Sequence, residues 1–293
     1  QSVLMTRCNK CSKIKTHMRR GKLSSSDGNR LIQTHMDGVK QERAFVNSHF
    51  GKSEIDPEYL HLTLDDMSNI ATKLPHLIDY RAKMIPDKLL VRADLSAAVY
   101  GKKGTNGGHV TDLLIDVSNL YGSTTNSTLG FLLSSLQRCY TLPSTLHLQL
   151  DGAKCNKNKV FFIVLGHLVS IGLFQCVIVH FLPSGHSHAH ADRYFSTVRK
   201  ALNAGELYTP GELVNCLSTM SGVRSVRLER LNYDFKSWVE PQLGKELDGS
   251  FDSMYFSFEK KNNNVVMNHR PLGSANFDEK LVILSNLEGN PSW

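Results

Sequence analysis

Leucine recurs at every second position in two short stretches of the chain. Leu60, Leu62 and Leu64 alternate with His61, Thr63 and Asp65, and Leu146, Leu148 and Leu150 alternate with His147, Gln149 and Asp151. A period of two predicts half-buried strands with the leucines on one face. In both stretches the polar face closes on an aspartate, so two such strands laid side by side bring Asp65 and Asp151 to the same end of a sheet. Asp66 falls on the opposite face, which favours Asp65, although either acid alone also suits a turn or helix cap. After residue 151 the period changes. Phe161, Val164, Leu165, Leu168 and Val169, widened by Ile163 and Ile171, predict a helix from about residue 156 to 174. The run Cys176–Leu182 is β-branched and almost wholly apolar, as in a strand buried on both faces. Pro183 and Gly185 end it. Phe195, Val198 and Leu202 then fall at i, i+3 and i+7, on a helix that carries Asp192 in its first turns. Strand, helix, strand, helix argues for parallel pairing through a crossover. Asp151 then lies at the carboxyl end of one strand and Asp192 just beyond the next, the edge where open α/β sheets carry their sites.

Two further strands are expected near 89–95 and 109–117, joined by the Gly- and Lys-rich GKKGTNGG. That loop lacks the GxxxxGK[ST] spacing of a phosphate loop and opens no helix, so a hairpin-type turn is expected. Leu129, Leu132, Leu133 and Leu136 predict a helix capped by Asn126 or Ser127. Three strands, a helix, a strand, a helix, a strand and a helix match the ribonuclease-H-like fold, a mixed sheet with flanking helices. Its acids sit on the first strand, the fourth strand and a later helix, positions that fall here to Asp65, Asp151 and Asp192. Past residue 202 a capped helix at 209–220, a short strand, a helical turn at Trp238 and an alternating strand at 251–260 read as a small α+β appendage. The expected units are a basic amino-terminal segment (1–52), the core (53–204), the appendage (205–275) and a tail (276–293).

The 293 residues, 41% hydrophobic, suffice for one large domain with appendages. No run of about 18 apolar residues predicts a membrane span, and no charged-then-apolar leader indicates secretion. The chain opens at Gln1 without an initiator Met, as a fragment or processed piece would. Six scattered cysteines look like reduced thiols of the nucleus or cytoplasm. A net charge of +7 is permissive for nucleic acid. In the amino-terminal segment Cys8 and Cys11 form a CxxC which, with His35, offers three zinc ligands. A fourth is not evident, and an unmetallated remnant is the other reading. The stretch 29–50, with Arg30, Lys40 and Arg43, reads as a solvated helix.

The segments LDDMSNIATKLPH, LQLDGAKCNKNK and FLPSGHSHAHADRYFS, with the amino-terminal CNKC and the downstream FKSW, resemble blocks of a widespread eukaryotic family of transposon-derived proteins with a ribonuclease-H-like integrase core. GHSHAHADRYFS carries most of the resemblance. The chain departs from the family at Asp66 and Ser68, where a glycine and a second acid are usual, at Gly152, usually Asn, and at Cys155, usually an acid.

Phosphodiester cleavage and strand transfer on DNA suit this layout. Three carboxylates can hold two Mg²⁺ or Mn²⁺ ions about 3.5–4 Å apart at the attacking and leaving oxygens. The expected roles are Asp65, Asp151 and Asp192 as metal ligands, with His186 and His188 orienting the phosphate or shuttling a proton. Turn packing and helix capping are the plainer reading of these histidines, and His190 reads as an exposed spacer. Asn156 and Asn158 either steady Asp151 or cap the next helix. Lys154, Lys157, Lys159 and Arg193 would meet the nucleic-acid backbone. Two alternatives stand beside this reading. One is a transposon-derived remnant that binds nucleic acid or protein without cutting. The other is a zinc hydrolase built on HSHAHAD, which resembles HxHxDH, but His190 takes the acid's place and only His269 follows. Oligomeric state is left open.

Overall fold

Both leucine stretches are strands. They sit side by side at the centre of one mixed α/β sheet flanked by helices. The structure is a computed structural model. It describes residues 8–67, 71–77, 90–104, 109–117, 124–153, 155–182, 190–229, 233–242, 252–262, 264–272, 274, 276 and 278–282, with the backbone alone at 190, 192, 193, 242 and 280–282. Its strands are β1 (Tyr59–Asp66), β2 (Asp94–Lys103), β3 (His109–Asp116), β4 (Thr145–Asp151), β5 (Cys176–Leu182), β6 (Val223–Glu229), β7 (Tyr255–Lys261), β8 (Asn264–Arg270) and β9 (Asp278–Val282). Its helices are α1 (Asn9–Arg19), α2 (Ser25–Ile55), α3 (Thr125–Leu136), α4 (Lys159–Ser170), α5 (His190–Leu202), α6 (Pro210–Ser218) and α7 (Phe235–Val239). The sheet order is β6-β3-β2-β1-β4-β5-β7-β8-β9. β1 runs parallel to β4, and β4 parallel to β5, while β2 is antiparallel to both β1 and β3.

The leucine faces of β1 and β4 pack with Val177, Val179 and Phe181 of β5 against α3, α4 and α7. On the other face α5 and α6 cover Leu95, Ala97 and Val99 of β2 and Leu113 and Ile115 of β3. The rest of that second face lies under α2, where Phe50 meets His61, His49 meets His147 and Glu42 meets His180. The helix expected to be solvated is therefore a covering layer, with Val39, Val46 and Phe50 buried beside His35, Glu42 and Ser53. Its approach is close at Gly101 of β2, where an added Cβ would sit 2.8 Å from the Ser53 Cβ. Ser53 Oγ accepts the His61 N–H at 3.0 Å.

Several boundaries differ from expectation. The second strand spans Asp94–Lys103 rather than 89–95, so the first three residues of the Gly-Lys loop are strand. Buried residues on both its faces, Ala97 and Val99 against Ala98 and Tyr100, erase the alternation that would have marked it. The expected turn at 105–108 lies outside the described residues. The fourth helix starts at Lys159 because Asn158 caps it, accepting the Phe161 N–H at 3.0 Å. Thr124, not Asn126 or Ser127, caps α3, with Ser127 completing the capping box. Asn126 instead ties α3 to α7, donating to Asp234 and accepting the Lys236 N–H. The expected 205–275 appendage is not set apart. β6 joins one flank of the sheet beside β3, and β7, β8 and β9 extend the other beyond β5. β9 lies within the segment expected to be a tail. No described helix is long and apolar enough to cross a membrane.

Candidate functional site

The parallel register of β1 and β4 pairs His61 with His147 and Thr63 with Gln149. Two residues further along each strand, on the same face and at the same edge, stand Asp65 and Asp151. Asp151 Oδ1 accepts the Asn156 side-chain amide at 2.5 Å and the Ala153 N–H at 3.2 Å. Asn156 in turn accepts the Thr128 hydroxyl at 2.9 Å, so α3 helps hold the carboxylate. Asn158 donates to Thr125 Oγ1 and to the Cys155 carbonyl, both at 2.8 Å, closing the loop between β4 and α4. Asn156 thus steadies the acid and Asn158 caps the helix, so each of the two roles weighed for these residues is filled.

A hollow of about 150 Å³ opens at this edge, lined by Asp65, Asp66, Asp151, Thr128, Cys155 and Asn156 over a floor of Leu64, Phe131 and Leu150. Asp66, set aside in the sequence as facing away, belongs to it. Its carboxylate accepts the Ser96 hydroxyl at 2.5 Å. Burial pushes the Cys155 thiol pKa up, and the nearby charges of Asp151 and Asp66 push it further. Alternation put Asp66 on the opposite face, and Cys155 and Thr128 lie outside any strand, so the leucine period marked none of the three as part of the site.

Asp192 lies in the first turn of α5, which packs against β1 and β2 on the face where Asp65 lies. Its neighbour Ala191 is fully buried in the cluster that holds Met67, one residue past β1. The Asp192 and Arg193 side chains, and all of His186, His188 and Lys154, lie outside the described residues. Lys157 does not reach into solvent as expected of a backbone contact. Its Nζ lies 5.2 Å from the centre of the Phe181 ring, and burial brings its pKa down to about 8. Lys159 opens α4 and is half-buried. His269, the one later histidine, is buried on β8 and bonded to Ser253 at 2.9 Å.

A separate cluster sits at the amino-terminal end. Cys8 Sγ lies 3.3 Å from His35 Nε2, and one donor atom each from Cys8, Cys11 and His35 fall within 4.8 Å of one another. Among the described residues no three carboxylates converge as closely. Sulfur and nitrogen donors suit zinc, whereas the oxygens of Asp65, Asp66 and Asp151 suit magnesium or manganese.

No curated protein and no solved structure matches this chain. A family match starts at the end of β2 and runs past β8, taking in Asp151 and Asp192 and leaving Asp65 and the Cys8 cluster outside. The chain belongs to the family of the domain of unknown function DUF7869, whose model covers residues 103–274, more than half its length.

Proposed function

We propose that the protein cleaves and transfers DNA strands inside the cell, as transposases and integrases do, on a ribonuclease-H-like core. The observation that carries this is that Asp65 and Asp151 line one hollow at the carboxyl edge of adjacent parallel strands. The central order β3-β2-β1-β4-β5, with β2 alone antiparallel to its neighbours in that set, supports the fold. Asp65 and Asp151, joined by Asp192 from α5, would hold Mg²⁺ or Mn²⁺, which when bound supplies charge stabilisation at the reacting phosphodiester. Asn156 and the Ala153 N–H orient the Asp151 carboxylate through Oδ1. His186 and His188, on the segment leading into α5, serve as proton carriers. Lys154, Lys159 and Arg193 steer the phosphate backbone.

The test is nicking and strand transfer by the full chain on supercoiled and oligonucleotide DNA, with and without Mg²⁺ or Mn²⁺. Metal-dependent product that disappears in Asp65→Asn and Asp151→Asn supports the reading. Absence of product with DNA binding retained leaves a binding protein that no longer cuts.

A further inference from the structure

α1 is a helix that its own packing does not explain. It has 11 residues, no side-chain amino-terminal cap, no acid in its first turn and no buried residue. Isolated helices shorter than about 12–15 residues are marginal in water. Cys11, Ile14 and Met18, at i, i+3 and i+7, form its only soft stripe. Met18 fits against α2 at Gly28, where an added Cβ would sit 2.2 Å from the Met18 sulfur. What pins the start of α1 is the sulfur–nitrogen cluster, since Cys8 precedes the helix, Cys11 lies in its first turn and His35 comes from α2.

The outer surface of this hairpin is cationic. Lys10, Lys13, Lys15, Arg19, Arg20 and Lys22 are all exposed, with no acid between residues 8 and 26. Among the described residues none of the six is ion-paired. The large exposed hydrophobic residues lie elsewhere, so α1 lacks the apolar face with which a helix enters a membrane surface.

We infer that Cys8, Cys11 and His35 bind one zinc ion, and that this ion locks α1 onto α2 as a clamp for the phosphate backbone of duplex nucleic acid. Zinc cross-links two helices through ligands from both, replacing the apolar contacts the short helix lacks. Its fourth position falls to water. Six cations on one short helix and its exit turn meet phosphates by charge without reading bases, so binding is independent of sequence and strongly salt-dependent. The inference concerns binding alone, and its readouts need no cleavage, so it fails or stands apart from the acid edge.

The full chain, purified without chelator, should carry zinc at a ratio near one, and Co²⁺ replacement should give the absorption bands of thiolate coordination. Cys11→Ser should lower both. Affinity for a fluorescent DNA duplex, read by anisotropy without Mg²⁺, should fall at least roughly tenfold on zinc removal or in Cys11→Ser. The same loss should appear in a variant combining Lys13→Gln, Lys15→Gln, Arg19→Gln and Arg20→Gln. That variant keeps the ligands, so its zinc content should stay normal. The slope of log affinity against log salt should approach about −5 in the native chain and be shallower in the charge variant. The inference is overturned by absence of zinc and of a cobalt spectrum, by DNA affinity indifferent to zinc and to the four substitutions, or by preference for phosphatidylserine vesicles over the duplex.

Discussion

His61 and His147 meet Nδ1 to Nδ1 at 2.8 Å, both wholly buried between the sheet and α2. Only one of the two nitrogens can carry the proton. Thr63 donates its hydroxyl to Gln149, so His61 Nε2, 3.0 Å from that hydroxyl, is the donor to it. His61 Nδ1 is then an acceptor and His147 Nδ1 the donor, which leaves His147 Nε2 an acceptor with no hydrogen-bond partner among the described residues. One row of bonds thus runs from His147 through His61 and Thr63 to Gln149, and its next positions on the same face are Asp65 and Asp151.

This arrangement requires neutral imidazoles and predicts acid lability. Burial first, then the neighbouring His61, His49 and His180, push the His147 pKa well below its ordinary value. His49 is brought down to about 4, chiefly by burial, and burial also lowers His180. The unfolded chain titrates these histidines near 6.5, so it takes up protons before the folded state does. The histidines' contribution to stability is therefore complete above that value and is lost as pH drops from 6.5 towards 4. Each histidine contributes a slope of about 1.4 kcal/mol per pH unit within its window. Urea midpoints at about pH 7.5, 6 and 5 should decline steeply over the last two. Equal midpoints at all three would remove the neutral-histidine account.

A second prediction concerns the ion pair beside these rings. Glu42, fully covered, receives Arg270 through two bonds of 2.7 and 3.1 Å, with His180 Nε2 2.8 Å from its Oε2. Burial pushes the Glu42 pKa up, but the bonds from His180 and Arg270 outweigh it and bring the value down to about 2. Its contribution is thus complete above 4.5 and disappears only as pH falls to about 2. Glu42→Gln strands a nearly buried guanidinium and should cost about 3–5 kcal/mol by urea denaturation. Glu42→Met combined with Arg270→Leu should cost much less, since neither charge is left behind.

The histidine layer also marks where sequence reading stopped. Alternation placed Leu60, Leu62 and Leu64 on one face, and the structure agrees. The opposite positions, His61, Thr63, His147 and Gln149, look like a half-solvated face yet are almost completely covered. Their cover, α2, mixes Val39, Val46 and Phe50 with Glu42, His35 and Ser53, so no clean apolar stripe announces it. That Asp65 and Asp151 reach the same edge was legible because a parallel register keeps equivalent positions level. Cys8, Cys11 and His35 were legible as residue types, but only the antiparallel packing of two helices could bring position 35 back to position 8. The joining of β6 to β3 was not legible at all, since a short strand carries no mark of which sheet edge it will take.

The core under α4 offers a third test. Phe162 is fully buried, with its ring centre 4.5 Å from that of Phe256, 5.9 Å from Phe258 and 6.4 Å from Phe181. The helical stripe read from the sequence runs through Phe161. The helix is in fact buried on nearly every side, because β7 and β8 extend the sheet beneath it. Phe162→Ala should destabilise by about 3–5 kcal/mol, the usual cost of removing a core aromatic. A change below about 1 kcal/mol in urea denaturation would mean that the sheet does not continue under the helix as described.

The last prediction separates positioning from chemistry at the acid edge. Asn156 donates to Asp151 and accepts from Thr128, so it sets the carboxylate's direction without any charge of its own. Asn156→Ala removes that donor and leaves the Thr128 hydroxyl only the Thr124 carbonyl, 3.2 Å away, as acceptor, costing about 1 kcal/mol of stability. If Asp151 acts as proposed, Asn156→Ala should lower metal-dependent cleavage by roughly tenfold, and Asp151→Asn by at least roughly a hundredfold. Asn156→Asp is the sharper probe. It places a second carboxylate within bonding distance of Asp151, and like charges so close favour keeping one proton between them. The pH at which cleavage rises should move upward in Asn156→Asp, with the plateau largely recovered at higher pH. A purely structural role for Asn156 would lower the plateau and leave the pH profile in place, so the profile itself tells the two apart.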